Sequence, residues 1–142
     1  MIEAEELIGI KLFQIGENAK DIIEAPVKPG IYQLREYTMK YATVQNTENG
    51  RLVSIYNYYL NGVKLDDQWL RRFHFEKAES GNYIRLDVNG YWEIRMDEDV
   101  PYMIFNRDTK TKLPFVHRLQ AVYSTLTGFE LHDKTQLLNV KV

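Results

Sequence analysis

Residues 83–96 constrain the fold of this chain more than any other stretch. Apolar and polar residues alternate on both sides of Asn89-Gly90, the pattern of two antiparallel strands joined by a tight turn. Ile84, Leu86 and Val88 are even-numbered, and so are Trp92, Ile94 and Met96. Residues directly opposite in an antiparallel pair share a face, so even should meet even. A two-residue Asn-Gly loop would set Leu86 against Glu93. A three-residue loop of Val88, Asn89 and Gly90, with Gly90 left-handed, sets Leu86 against Trp92 and Ile84 against Ile94. That register also places Arg85 against Glu93 and Asp87 against Tyr91.

The preceding segment extends the same logic. Residues 72–77 alternate Phe73 and Phe75 with Arg72, His74 and Glu76. A loop at Ser80-Gly81 sets Phe75 opposite Leu86, Phe73 opposite Val88, Glu76 opposite Arg85 and His74 opposite Asp87. Opposite charges paired across strands contribute about 0.2–1 kcal/mol each. The expected core is therefore Phe73, Phe75, Ile84, Leu86, Trp92 and Ile94. The expected open face carries Arg72, His74, Glu76, Tyr83, Arg85, Asp87, Tyr91, Glu93 and Arg95.

Around this meander the chain reads mainly as strands. Residues 7–15 are apolar on both faces, which predicts a central strand. Pro26 and Pro29-Gly30 force a turn before an extended segment from Ile31, resumed through Met39 to Val44. Residues 46–50 are turn formers, and residues 52–60, dense in tyrosine, read as a long strand. At Asn61-Gly62 a two-residue loop would set Leu60 opposite Val63. Residues 68–71 form at most one helical turn, capped by Asp67. Residues 97–99 are an acidic turn, and residues 100–106 are apolar on both sides. One long helix follows, from Leu113 or Pro114 to Thr127, ended by Gly128. Its expected apolar stripe is Phe115, Val116, Leu119, Val122, Tyr123 and Leu126, with His117, Arg118, Gln120 and Ser124 outward. Residues 135–142 could close the sheet as an edge strand. The whole predicts a single domain over 1–142 of α+β class. Its expected form is a curved antiparallel meander sheet of roughly seven to nine strands, open or half-barrel, with the C-terminal helix packed on it.

Composition narrows the chemistry. A chain of 142 residues with 44% hydrophobic and 27% charged residues is ordinary for a soluble globular protein. There is no cysteine, which excludes disulfides, thiolate nucleophiles and cysteine metal sites. Met1 is followed by acids rather than the basic start of a secretory leader, and no apolar run reaches membrane-spanning length. The expectation is a cytoplasmic protein without a membrane partner. Net charge is −2, unevenly spread: residues 1–25 hold six acids against two lysines, net −4, and residues 109–142 hold five bases against two acids, net +3. This gradient is far weaker than the clustered charge of a nucleic-acid binder. Arg71-Arg72-Phe73-His74-Phe75 interleaves basic and aromatic residues, but parity assigns both phenylalanines to the core, so nucleic acid is not the expected partner.

No phosphate-cradling glycine loop, serine elbow or zinc-binding histidine pair is present. His132-Asp133 reads as a surface loop, and no metal or cofactor is expected. Two constellations remain. On the meander, His74 beside Glu76 and Asp87 is the raw material of acid–base catalysis. Arg72, Arg85 and Arg95 beside Tyr83 and Tyr91 could hold a small anionic, nucleotide-like ligand. Elsewhere Tyr56, Tyr58 and Tyr59, with Tyr32, Tyr37 and Tyr41 upstream, suit a surface buried against a partner protein. The outward helix face, with Lys110-Thr111-Lys112, could meet an acidic or phosphorylated partner.

Small size, no cysteine and abundant Tyr, Ile, Asn and Lys resemble small proteins of low-GC bacteria or their phages. The expectation is a non-enzymatic binding protein that occupies or inhibits a partner protein, or sequesters a small ligand, as a phage or mobile-element inhibitor would. The alternative is a small-ligand enzyme or carrier using His74, Glu76, Asp87 and Arg85 on the concave sheet face. An exposed C-terminal strand or tyrosine surface would also invite a homodimer.

Overall fold

The computed structural model describes residues 11–88, 90–106 and 109–131, with side chains described except at 105, 106, 109 and 110. The expected strand at 135–142, the His132-Asp133 loop and residues 7–10 of the first strand lie outside them. The chain divides between Val63 and Lys64 into two compact units. Each is built on its own five-stranded antiparallel sheet, and neither sheet closes into a barrel. The fold is α+β, with two sheets where the sequence suggested one.

The first unit contains β1 (Leu12–Ile15), β2 (Gly30–Tyr37), β3 (Tyr41–Asn46), β4 (Leu52–Tyr56) and β5 (Asn61–Gly62), with a 3-10 turn over Asn57–Tyr59. Spatial order is β4-β3-β2-β1-β5. Apolarity on both faces put β1 inside the sheet, and it lies between β2 and β5 with Leu12, Phe13 and Ile15 fully buried. Phe13 and Ile15 pack with Leu34, Val44 and Ile55 into the unit's core. Asn61-Gly62 is not a hairpin loop. The chain has already turned at 57–59, where Leu60 N donates to Asn57 O at 3.0 Å, and Asn61-Gly62 then pairs with Gln14 and Phe13.

The second unit begins with α1 (Asp67–Arg72), capped by Asp66, whose carboxylate accepts from Trp69 N at 3.0 Å. The cap is thus one residue earlier than expected. A meander follows: β6 (Glu76–Lys77), β7 (Tyr83–Asp87), β8 (Gly90–Asp97), β9 (Val100–Asn106) and β10 (Thr109–Lys112), neighbours in space as in sequence. The acidic turn between β8 and β9 leaves Glu98 and Asp99 as a two-residue loop, both with positive φ.

The register of β7 corrects the sequence reading. Arg85 pairs with Trp92, Ile84 with Glu93, and Asp87 with Gly90. Two residues, not three, separate the paired ends of β7 and β8. On the other side Ala78 N donates to Asn82 O, and Gly81, at φ 91°, completes a three-residue loop where two were expected. The two deviations cancel. Phe75 and Trp92 share a face in either register and both are buried, but the strand between them is turned over. Arg85 and Asp87 face inward, Leu86 is 77% exposed and Val88 fully so.

The long helix α2 (Val116–Thr127) ends as expected, with Gly128 at φ 77° donating to Ser124 O at 2.8 Å. Its buried stripe is rotated from the expected one. His117 and Gln120 are buried with Val116, Leu119 and Tyr123, while Phe115 and Leu126 are exposed. Gln120 can be buried because its amide donates to Leu131 O at 3.1 Å, and the His117 ring stacks on Phe115 at 5.5 Å.

Candidate functional site: a tyrosine cleft in the first unit

Two short segments of the first unit build the site. One is the β2–β3 turn at residues 38–40. Thr38 closes it: its backbone N donates to Tyr41 O at 2.8 Å, and its Oγ1 accepts from Tyr41 N at 3.0 Å. The other is the 3-10 turn Asn57–Tyr59. Asn57 joins the two segments, with its backbone N donating to Lys40 O at 3.0 Å and its Nδ2 to Thr38 O at 2.7 Å. Both walls are held by hydrogen bonds rather than by burial.

Along these walls runs a series of rings. Tyr41 and Tyr56 are a cross-strand pair with centroids 5.2 Å apart, Tyr56 stacks parallel to Tyr58 at 5.5 Å, and Tyr58 meets Tyr59 at 4.5 Å. The Lys40 ammonium lies over Tyr41 and Tyr56, 5.5 and 5.9 Å from their centroids. Beside the rings opens a cavity of about 640 Å³, walled by Tyr37, Met39, Lys40, Tyr56, Asn57 and Tyr58, with the buried Leu60 in its lining. Tyr58 is 71% exposed and Met39 wholly so. The neighbouring Tyr59 hydroxyl, aided by desolvation, raises the Tyr58 phenol above its ordinary range.

The sequence-predicted trio Tyr56, Tyr58 and Tyr59 is therefore brought together, with Tyr37 and Tyr41 beside it. Tyr32 is not: it is buried, donating to Lys28 O at 2.6 Å. Met39, Lys40 and Asn57 were missed. Met39 and Lys40 read in the sequence as the start of an extended segment and Asn57 as part of one long strand, so only the observed turns at 38–40 and 57–59 bring them to the cleft.

The residues proposed on the meander are dispersed. Asp87 accepts from Arg85 Nε at 2.8 Å and from the Tyr123 hydroxyl at 2.9 Å on the inward face, while His74 and Glu76 are exposed beside Ile84 and Leu86. The expected proximity of His74 to Asp87 fails with the register. His74 stands at φ 68° just past α1. His74 N donates to Arg71 O and Phe75 N to Leu70 O, the paired bonds of a Schellman ending in which glycine is usual. Among the proposed ligand-binding residues, Arg85 also donates to Phe73 O and lies over the Tyr123 ring. Arg72 lies over Trp69 at 3.9 Å, and Arg95 pairs with Asp97 at 2.9 Å. Tyr91 donates to Glu93 at 2.9 Å on the outer face, which raises its phenol pKa. Tyr83 is buried and donates to Asp67; burial first, then that bond, pushes its phenol up to about 12. The same bond, with help from Arg71, holds the Asp67 carboxyl below its ordinary range.

Among the described residues no group of three or more histidine or carboxylate side chains is placed to hold a metal ion, and no helix is long and apolar enough to cross a membrane. Comparison of the chain with protein-family models, curated proteins and solved structures finds no match.

Proposed function

We propose that this chain is a non-enzymatic binding protein that engages a partner protein through the tyrosine cleft of its first unit. The observation that carries the reading is exposed aromatic and methionine surface on walls pinned by the Asn57 hydrogen bonds. Tyrosine offers large contact area with little rotamer entropy to lose, and methionine adapts to irregular partners. A preordered surface of this kind binds without first spending free energy on its own ordering.

Sequestration of a small anionic ligand is the second reading, favoured by the cavity's size and by Lys40 above the rings. The enzyme alternative draws no support from the placement of His74, Glu76 and Asp87 on different faces of one sheet.

The test is affinity capture from cell lysate with the tagged full chain and with a Met39→Ser, Tyr58→Ser variant, run beside thermal-shift assays on a nucleotide panel. A protein retained by the parent and lost from the variant is the expected result. Capture indifferent to these two exposed substitutions would overturn the reading, and a nucleotide-dependent shift abolished by them would favour the ligand alternative.

A further inference from the structure

We infer that the occupant of the cleft is an acidic polypeptide segment: an apolar or aromatic side chain seated against the tyrosines, flanked by carboxylates that meet Lys40. The inference rests on the partner-binding reading above and gives that partner a chemistry.

Charge complementarity is the first support. The cleft lining holds one cation, Lys40, and no carboxylate. Four other cations among the described residues are paired with acids: Lys28 with Glu48, Arg71 with Asp67, Arg85 with Asp87 and Arg95 with Asp97. Lys40 has no ion-pair partner among the described residues and lies over two ring faces. A ring face stabilises an ammonium but leaves its net charge unopposed. A carboxylate would complete the site.

The rings themselves argue against a basic occupant. The negative faces of Tyr41 and Tyr56 are already turned to one cation, and a second would be repelled by the first. The hydrogen-bonding groups point the same way. Phenol hydroxyls, such as those of Tyr37, Tyr56 and Tyr58 in the lining, donate to carboxylates.

The apolar part of the occupant follows from Met39, Tyr37 and Leu60 in the lining, which give a large side chain something to displace water from. A nucleotide fits less well. Its phosphates call for several converging donors, a glycine loop or paired arginines, and this cleft supplies a single lysine. One charge per neighbouring side chain, as in Asp or Glu, matches what is present.

Isothermal titration of the full chain with three capped nine-residue peptides tests this. Each carries a central Trp, with Glu, Gln or Lys at the four flanking positions. The Glu peptide should bind about fivefold more tightly than the Gln peptide at low salt, with the Lys peptide weakest. Added salt should shrink that preference. Lys40→Gln, at an exposed position, should bring the Glu-to-Gln ratio to about one while leaving Gln-peptide affinity in place. Tyr58→Ser should weaken all three. Equal affinities, a preference for Lys, a ratio unmoved by Lys40→Gln, or no binding by any peptide would overturn the inference. If a captured protein still depends on Tyr58 in those cases, the partner-binding reading stands alone. If capture is also indifferent to Tyr58, both fall.

Discussion

At the scale of single residues, the second unit shows how conformation can override chemical appearance. His74 looks like half of a catalytic pair, yet its backbone sits where the helix α1 must reverse, at φ 68°. A left-handed residue with a Cβ costs roughly 1–2 kcal/mol that glycine does not. His74→Gly should therefore raise stability by about 1 kcal/mol in urea melts; a loss would mean that the imidazole makes contacts of its own. Tyr83 gives a pH signature. Its folded-state pKa is raised to about 12, so its contribution is complete below the unfolded value near 10 and is lost as pH rises through 12. Tyr83→Phe should cost about 1 kcal/mol at neutral pH through the lost bond to Asp67. It should also flatten the fall in stability above pH 10. An unchanged alkaline limb would assign that fall to another group. Asp67 carries the opposite sign: its pKa is lowered, so its contribution is present above the ordinary carboxylate range and lost on acidification.

At the scale of elements, the meander makes the clearest quantitative claim. Leu86 is exposed and Asp87 is half-buried between Arg85 and Tyr123. Leu86→Ala should change stability by less than about 0.5 kcal/mol. Asp87→Asn should cost about 1–3 kcal/mol, because it removes the charge that Arg85 and Tyr123 address. The register first read from parity would reverse this order, with Leu86→Ala costing about 2–5 kcal/mol as a core truncation. The strands from β6 to β9, their order and the inward facing of Phe73, Phe75, Trp92 and Ile94 were legible because period-2 alternation records them directly, whereas β10 reads in the sequence as a polar loop over residues 108–112. The facing of β7 was not legible. Its apolar set, Ile84, Leu86 and Val88, argues for burial, but the inward positions belong to Tyr83, Arg85 and Asp87, whose polar tips find Asp67, Phe73 O and Tyr123. Those partners are long-range and leave no periodic trace. The same holds for the cleft: three tyrosines in one short run were visible, while the Asn57 bonds that place them against residues 38–40 join segments 17 to 19 positions apart.

At the scale of the whole molecule, the division into two units sets what a perturbation can reach. Each unit buries apolar residues on its own sheet. Both tryptophans, Trp69 and Trp92, belong to the second, so tryptophan fluorescence reports that unit alone. Ile55→Val trims the first core and should cost about 0.5–1.5 kcal/mol there. Amide exchange along β3 should quicken, while the urea midpoint seen by tryptophan fluorescence stays in place. A joint shift would make the chain one cooperative folding unit.

The two loops that flank β7 behave like a reading frame. Loops ordinarily absorb insertions and deletions at little cost, but side chains alternate with period 2. One residue added or removed in either loop therefore inverts the facing of the strand, or of everything on one side of it. A compensating change in the other loop restores the neighbours and leaves β7 alone reversed. The observed chain and the register suggested by its parity differ by such a pair of changes: three residues for two before β7, two for three after it. A lineage could exchange an exposed Leu86 for an exposed Arg85 and Asp87 through two single-codon length changes, with no substitution in any strand.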